Sequence, residues 1–149
     1  MPTALITGAS RGIGQAAAKL FADSGWDLLL VARTESSLQS LADELSQSGR
    51  TILYKAIDLA EPELIVPGLN ALLSKGLQPT VLINNAGWVW TGDLLSMPLA
   101  SWQSLLQMNL TSVFQICSVV VPLMRSNGGL VINVSSHASR NAFPQWGCY

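Results

Sequence analysis

The stretch "INVSSHASRNAFPQWGCY" carries two hydroxyls that could act together, Ser136 and, thirteen positions further on, Tyr149. When hydride is delivered to a carbonyl carbon, the developing alkoxide needs a proton. A tyrosine hydroxyl can supply it while a serine hydroxyl orients the same oxygen. Free tyrosine has a pKa of about 10, so it needs a nearby positive charge to serve near neutrality. Near the other end, "TGASRGIG" (Thr7 to Gly14) holds three glycines. Gly8 permits a tight turn, Gly12 lets backbone approach a phosphate, and Gly14 lets a helix pack closely on a strand. A helix opening there aims free amides and its positive dipole end at a pyrophosphate. The plainer alternatives are a strand-end hydroxyl capping backbone, a loose terminal tyrosine and an ordinary glycine-rich turn.

Both features need a scaffold that brings distant loops together. Short apolar runs alternate with segments of helical period: "ALIT" (4–7), "DLLLVA" (27–32), "TILYKAIDL" (51–59), "TVLINNAG" (80–87) and "GLVINVSS" (129–136). Between them lie a segment with Ile13, Ala17, Leu20 and Phe21 on one face, one with Leu38, Leu41 and Leu45, and one around Leu69, Leu72 and Leu73. Pro67-Gly68 would break or start that third helix, and a long pattern runs from about Leu99 to Met124. Five strands rich in Val, Ile and Leu, with helices between them, predict one doubly wound α/β domain with a parallel sheet covered on both faces. Such a sheet binds ligands beyond the carboxyl ends of its strands. The loops to read therefore follow residues 7, 32, 58, 84 and 135.

The second of these loops bears on which dinucleotide binds. An acidic residue at the end of the second strand usually accepts from the ribose hydroxyls of NAD(H). Here the strand ends "VARTES", with Ala32, Arg33 and Thr34 in its place. A carboxylate would repel a 2′-phosphate, whereas a guanidinium grips it with charge-assisted hydrogen bonds. Arg11 can approach from the first loop, so NADP(H) is the expected cofactor, the alternative being two solvated surface charges. Asp58 could cap the helix after the third strand. Trp88 and Trp90 could be core aromatics, a pocket wall or a subunit contact. The sole histidine, His137, reads as a pocket-rim or exposed residue, and Cys148 as a packing residue.

Composition narrows the classes. The chain has 149 residues, a formal net charge of −1, 49% hydrophobic and 11% charged residues. There is no electrostatic footprint for nucleic acid and no basic run for an anionic membrane. The apolar balance fits strands buried on both faces or a surface meant for a partner. The start shows no basic n-region or separate apolar h-region, and "LLLVA" and "VVVPLM" are too short to span a bilayer. Cys117 and Cys148 show no metal spacing, so a reducing, cytoplasmic setting is expected.

Taken in order, the motifs resemble the short-chain dehydrogenase/reductase family. "TGASRGIG" has the family's Gly-x-x-x-Gly-x-Gly spacing, "NNAG" (84–87) its Asn-Ala-Gly element, and Ser136 precedes Tyr149 by its serine–tyrosine interval. The resemblance implies a Rossmann-type sheet of which these are the first five strands, over a dinucleotide-binding domain (1–149) incomplete at its C-terminus. It places Gly8, Ser10, Arg11, Gly12, Ile13, Gly14, Arg33 and Thr34 at the cofactor, with Asp58 and Leu59 at the adenine. It has Asn85 steady the central sheet while Ala86 and Gly87 leave the cofactor room. It implies Tyr149 as catalytic acid, Ser136 as its companion and Asn109, in "QMNLTSVF", as holder of a water in the proton relay. The family's lysine, in Tyr-x-x-x-Lys, would fall beyond residue 149, which implies a fragment or only the ordered part of the protein. Such a chain is expected to be a poor enzyme with an exposed apolar edge near Leu130 to Val134 and an unpartnered helix face at Val113, Phe114, Cys117 and Val120.

The reading for the complete protein is an NADPH-dependent reductase of a ketone or aldehyde, forming a homodimer or homotetramer. "SWQSLLQMNLTSVF" resembles 3-oxoacyl-acyl-carrier-protein reductases, so the small-molecule carbonyl could be carrier-bound, with Arg125 and Arg140 at the entrance. The alternative is a nucleotide-binding or interaction module without chemistry.

Overall fold

Continuous apolar runs without polar alternation demand strands covered on both faces. The computed structural model, which describes residues 1–149, bears this out: every residue of β1 (Thr3–Thr7), β2 (Asp27–Ala32) and β4 (Val81–Asn84) is buried. These pair with β3 (Ile52–Ala56) and β5 (Leu130–Asn133) in one all-parallel sheet ordered β3-β2-β1-β4-β5. Ala4 lies opposite Leu28 on one side and Val81 on the other, and Asn84 opposite Asn133.

Helices cover both faces, as predicted. On one, α1 (Gly12–Asp23) and α2 (Glu35–Ser46) bury Ala18, Ala22, Leu38, Leu41 and Leu45 against Ala4, Ile6, Leu28 and Leu30. On the other, α3 (Pro62–Leu73) and α5 (Ser112–Met124) bury Ile65, Leu69, Leu72, Ile116, Val120 and Met124 against Leu5, Leu29, Val31 and Leu82. Each fully buried Leu or Ile stabilises the fold by about 1.5–3 kcal/mol relative to exposure. The chain winds outward from β1 through β2 to β3, then returns to place β4 on the far side of β1. Loops after β1 and β4 therefore leave in opposite directions and open a crevice at the carboxyl edge.

Local expectations needed correction. The buried face of α1 is Gly14, Ala18 and Ala22, while Ile13 and Leu20 are each 66% exposed. Small residues win there because the helix comes too close to the sheet for longer ones. Pro67-Gly68 neither breaks nor starts α3, which runs through both. A Cβ on Gly68 would stand 2.7 Å from Ile57 Cδ1, so glycine lets the helix lie against that residue. The third and fifth strands end at Ala56 and Asn133, short of their full apolar runs. Val120 faces the core with no exposure, so it is not part of an outward stripe; Phe114, 72% exposed, is.

The long pattern from Leu99 is one continuous run of 26 residues, Leu99–Met124. It comprises α4 (Leu99–Leu106), a π turn (Gln107–Thr111) and α5. By length and apolarity alone it could cross a bilayer, which neither shorter apolar run suggested. In the fold, its inner residues Leu105, Ile116, Val120 and Met124 are buried.

Candidate functional site

The crevice is held by a clasp between the loops after β1 and β4. Thr7, only 1% exposed, accepts at Oγ1 from the backbone N–H groups of Asn85 and Ala86, each at 3.1 Å, and donates to Ile83 O at 3.4 Å. Asn85 answers: its Nδ2 donates to Thr7 O at 3.0 Å and to Gly8 O at 3.3 Å. The clasp needs two glycines. Gly8 has φ +65°, and a Cβ there would stand 2.8 Å from Asn85 Nδ2. A Cβ on Gly14 would run into Gly8 O and stand 2.6 Å from Asn85 Nδ2. The packing role expected of Gly14 and the steadying role expected of Asn85 are thus one contact.

Around this clasp opens a cleft of about 830 Å³. Gly8, Ser10, Arg11, Gly12, Ile13, Arg33, Thr34, Asp58, Leu59, Asn85, Ala86 and Gly87 all line it. Of the predicted cofactor residues only Gly14 lies behind the wall, as its packing requires. The volume falls within the usual range for small-molecule and cofactor sites, roughly 300–1,000 Å³. Thr34 and Arg11 stand at the N-terminal ends of α2 and α1, so both helix dipoles point positive ends at the cleft. The single ion pair in the structure joins Lys19 and Glu44, leaving the guanidinium groups of Arg11 and Arg33 unpaired. No carboxylate ends β2. Glycine turns, helix amides and two free arginines fit a nicotinamide dinucleotide, and the one acid in the lining is Asp58, after β3. Asp58 forms an Asx turn, accepting from Ala60 N at 3.0 Å, while Glu61 is the residue preceding α3.

Sequence reading missed several lining residues. Ser37 lies within the first turn of α2, beside Arg33 and Thr34. Ser104 and Met108 reach the cleft from α4 and the π turn. Helical periodicity could not separate them from surface positions, because the π turn shifts the register. Trp88 joins the cleft wall, whereas Trp90 packs on Gly92 and its carbonyl accepts from Cys148 Sγ at 3.6 Å.

Asn109 sits in the π turn, a feature often found at functional positions. Its side chain is a brace: Oδ1 accepts from Trp88 N at 3.0 Å and Nδ2 donates to Trp88 O at 2.8 Å. Asn109 therefore holds the loop that carries Gly87 and Trp88 and is not itself a lining residue.

Ser136 follows β5 and accepts at Oγ from Ala138 N at 3.1 Å, opening a short 3-10 turn (His137–Ser139). Capping uses the oxygen and leaves the hydroxyl proton free to donate outward. Tyr149 is 43% exposed and packs edge-on against Trp146, ring centroids 5.7 Å apart. Trp146 in turn stacks with Phe143 at 5.6 Å, and Phe143 with His137 at 5.9 Å. The segment docks on the loop after β4 through Gly92 N to Gln145 O at 2.9 Å. No hydrogen bond joins Ser136 to Tyr149; what links them is this series of rings.

The profile of the short chain dehydrogenase family matches residues 2–149. A 3-oxoacyl-acyl-carrier-protein reductase of Chlamydia trachomatis serovar D is 33% identical over 136 residues, covering 90% of this chain and 55% of that protein. Its namesake from Vibrio cholerae serotype O1 is 36% identical over 134 residues, 89% of this chain and 54% of that protein. Among solved structures, an alcohol dehydrogenase from the archaeon Thermococcus sibiricus, complexed with 5-hydroxy-NADP, superposes with a TM-score of 0.95 at 30% identity, covering 100% of this chain and 64% of that one. L-Sorbose reductase from Gluconobacter frateurii, complexed with NADPH and L-sorbose, gives 0.93 at 29% identity, over 99% of this chain and 57% of that one. The chain thus spans about half the length of the curated relatives it matches.

Proposed function

This chain belongs to the short-chain dehydrogenase family, and from that membership we propose that it forms the NADP(H)-binding part of a carbonyl reductase. One observation carries the cofactor reading: Arg11 and Arg33 stand unpaired at one end of a glycine-walled cleft, where β2 offers no carboxylate. The cofactors named for the archaeal and Gluconobacter enzymes support it. Bound there, a nicotinamide dinucleotide supplies hydride chemistry. Gly8, Gly12 and the first amides of α1 would hold the pyrophosphate, and Arg11, Arg33, Thr34 and Ser37 the 2′-phosphate.

On the substrate side, Tyr149 would give its phenolic proton to the carbonyl oxygen while the Ser136 hydroxyl donates to the same oxygen. A lysine four residues after the tyrosine, as in the family's motif, would favour the phenolate electrostatically. The substrate is a ketone or aldehyde. The names of the chlamydial and Vibrio relatives make a carrier-bound 3-oxoacyl thioester the first candidate, with the exposed Arg125 and Arg140 available to an acidic carrier. Exposed Leu99, Trp102, Leu106, Leu110 and Phe114 on one long helix suit a homodimer or homotetramer, and the cytoplasm is the compartment we infer.

The test is calorimetric titration of the chain with NADPH and with NADH. We expect tighter binding of NADPH by at least about ten-fold, since charge-assisted hydrogen bonds contribute roughly 1.5–3 kcal/mol each. Equal affinities would refute the NADP(H) reading. NADPH binding, without oxidation by any ketone, by a protein that carries this chain together with the family's lysine would favour a non-catalytic module instead.

A further inference from the structure

The π turn does more than carry Asn109. Three successive residues fan out from it to three places: Gln107 toward the loop after β3, Met108 into the cleft, and Asn109 onto the Trp88 backbone. Gln107 Nε2 donates to Leu59 O at 3.3 Å and to Gln115 Oε1 at 3.1 Å. Gln115 Nε2 passes the contact on, donating to Pro62 O at 3.0 Å. The two glutamines thus fasten both ends of the segment 59–62 to the long helix. On its other side the same segment is shaped by the Asx turn of Asp58.

That segment is a wall of the cleft: Asp58, Leu59 and Ala60 line it. From the dinucleotide reading of the cleft, on which this inference rests, we propose that Gln107, seconded by Gln115, is a positioning residue for the adenine half of the cofactor. Asn109 braces the Trp88-bearing loop from the same π turn, so one short stretch of helix holds two of the loops that line the cleft. A regular α-helix advances 100° per residue and keeps each side chain in register with its i+4 neighbour. Gln107 and Asn109, two positions apart, leave the turn on different sides and brace different loops. Gln107 touches no cofactor atom in this scheme; it acts through the Leu59 carbonyl.

The experiment measures binding of NADPH, of adenosine 2′,5′-bisphosphate as the adenine half, and of reduced nicotinamide mononucleotide as the other half. The proteins are the unmutated chain, Gln107→Ala and Gln107→Met. Methionine preserves the stem and its packing while removing both donated bonds, so it keeps the test open if alanine unfolds the chain. Both variants should bind NADPH and the adenine-half probe about five-fold more weakly, the loss of one or two ordinary hydrogen bonds. Affinity for the nicotinamide half should stay within about two-fold, a split that general loosening of the fold would not produce. Gln115→Ala should give a smaller loss on the same two ligands.

Unchanged adenine-half affinity in a folded Gln107→Met protein, or equal losses on both halves, overturns the proposal while leaving the dinucleotide reading intact. An unmutated chain that binds no NADPH overturns that reading and this proposal with it.

Discussion

Replacing Thr7 by valine tests the physical basis of the site most directly. Valine has nearly the shape of threonine, so the packing of a residue 1% exposed changes little. What disappears is the oxygen that accepts from Asn85 N and Ala86 N at 3.1 Å each. Both amides would then face a methyl group. An unsatisfied buried donor costs about 1–3 kcal/mol, and these two are only partly buried, so about 1–2 kcal/mol each is appropriate. The sum, about 2–4 kcal/mol, is a large fraction of the roughly 5–15 kcal/mol that holds a domain folded. For a domain of this size it corresponds to a fall in Tm of about 5–15 °C. Thr7→Ser separates the hydroxyl from the methyl, because it keeps the acceptor and should cost only about 1 kcal/mol. Thermal and urea melts of the three proteins, with and without NADPH, provide the measurement. If Thr7→Val melts within a degree or two of the unmutated chain, or Thr7→Ser is equally damaging, the clasp is not what holds these loops.

Three further outcomes are expected. Arg33→Asp should weaken NADPH binding by at least ten-fold and raise the relative affinity for NADH, since it sets a carboxylate against the 2′-phosphate; an unchanged NADPH/NADH ratio would contradict this. Gly14→Ala forces a Cβ against Gly8 O and Asn85 Nδ2, so it should cost about 1–3 kcal/mol in a melt and lower dinucleotide affinity, whereas alanine at Gly25, where φ is +84° but an added Cβ meets nothing, should cost stability and leave affinity unchanged. In a protein that carries this chain together with the family's lysine, Tyr149→Phe should cut kcat by a factor of at least about 100 while leaving the NADPH Kd within two-fold, and Ser136→Ala should cut it less; a phenylalanine variant retaining most of its turnover would remove tyrosine from the mechanism.

The fold was legible because its strongest signal is also its strongest force. Runs such as "DLLLVA" can be satisfied only by burial on both faces, and that burial fixes an all-parallel, helix-covered sheet. Cleft residues were legible wherever backbone geometry restricts the residue type, as at Gly8, or where charge does, as at Arg33. Elsewhere the text of the sequence is neutral. Nothing in "LITGAS" marks the Thr7 hydroxyl as the acceptor for a loop 78 residues away, because a strand-end threonine is ordinary by composition. Apolar period misled on α1, where closeness to the sheet selects Gly14, Ala18 and Ala22 over Ile13 and Leu20. The π turn has no sequence mark at all.

The two halves of the site are also held by different means, and this bears on how each can evolve or fail. Most cleft-lining loops hang from β1, β2 and β4, strands with no exposed residue. Those after β1 and β4 are locked by several hydrogen bonds through Thr7 and Asn85, while one wall, Ile57 to Ala60, follows the edge strand β3. Ser136 and Tyr149 follow β5, an edge strand in this chain, where Leu130 and Ile132 and the next residue, Val134, are 55%, 37% and 38% exposed. Their segment is anchored by Gly92–Gln145, one sulfur contact and a series of half-exposed rings. Exposed contacts of this kind stabilise weakly, whereas the buried clasp is costly to break. In the 149-residue chain by itself, local opening should therefore begin at β5 and the Phe143–Tyr149 segment while the cleft stays formed. Hydrogen exchange can rank the two: amides of Leu5 and Leu29 should be the slowest, and those of Val134 and Tyr149, although bonded to Asn84 O and Trp146 O, should exchange faster than both. On the proposed reading, dinucleotide binding and proton delivery are then separable properties of one sheet, the first resting mainly on its central strands and the second on β5.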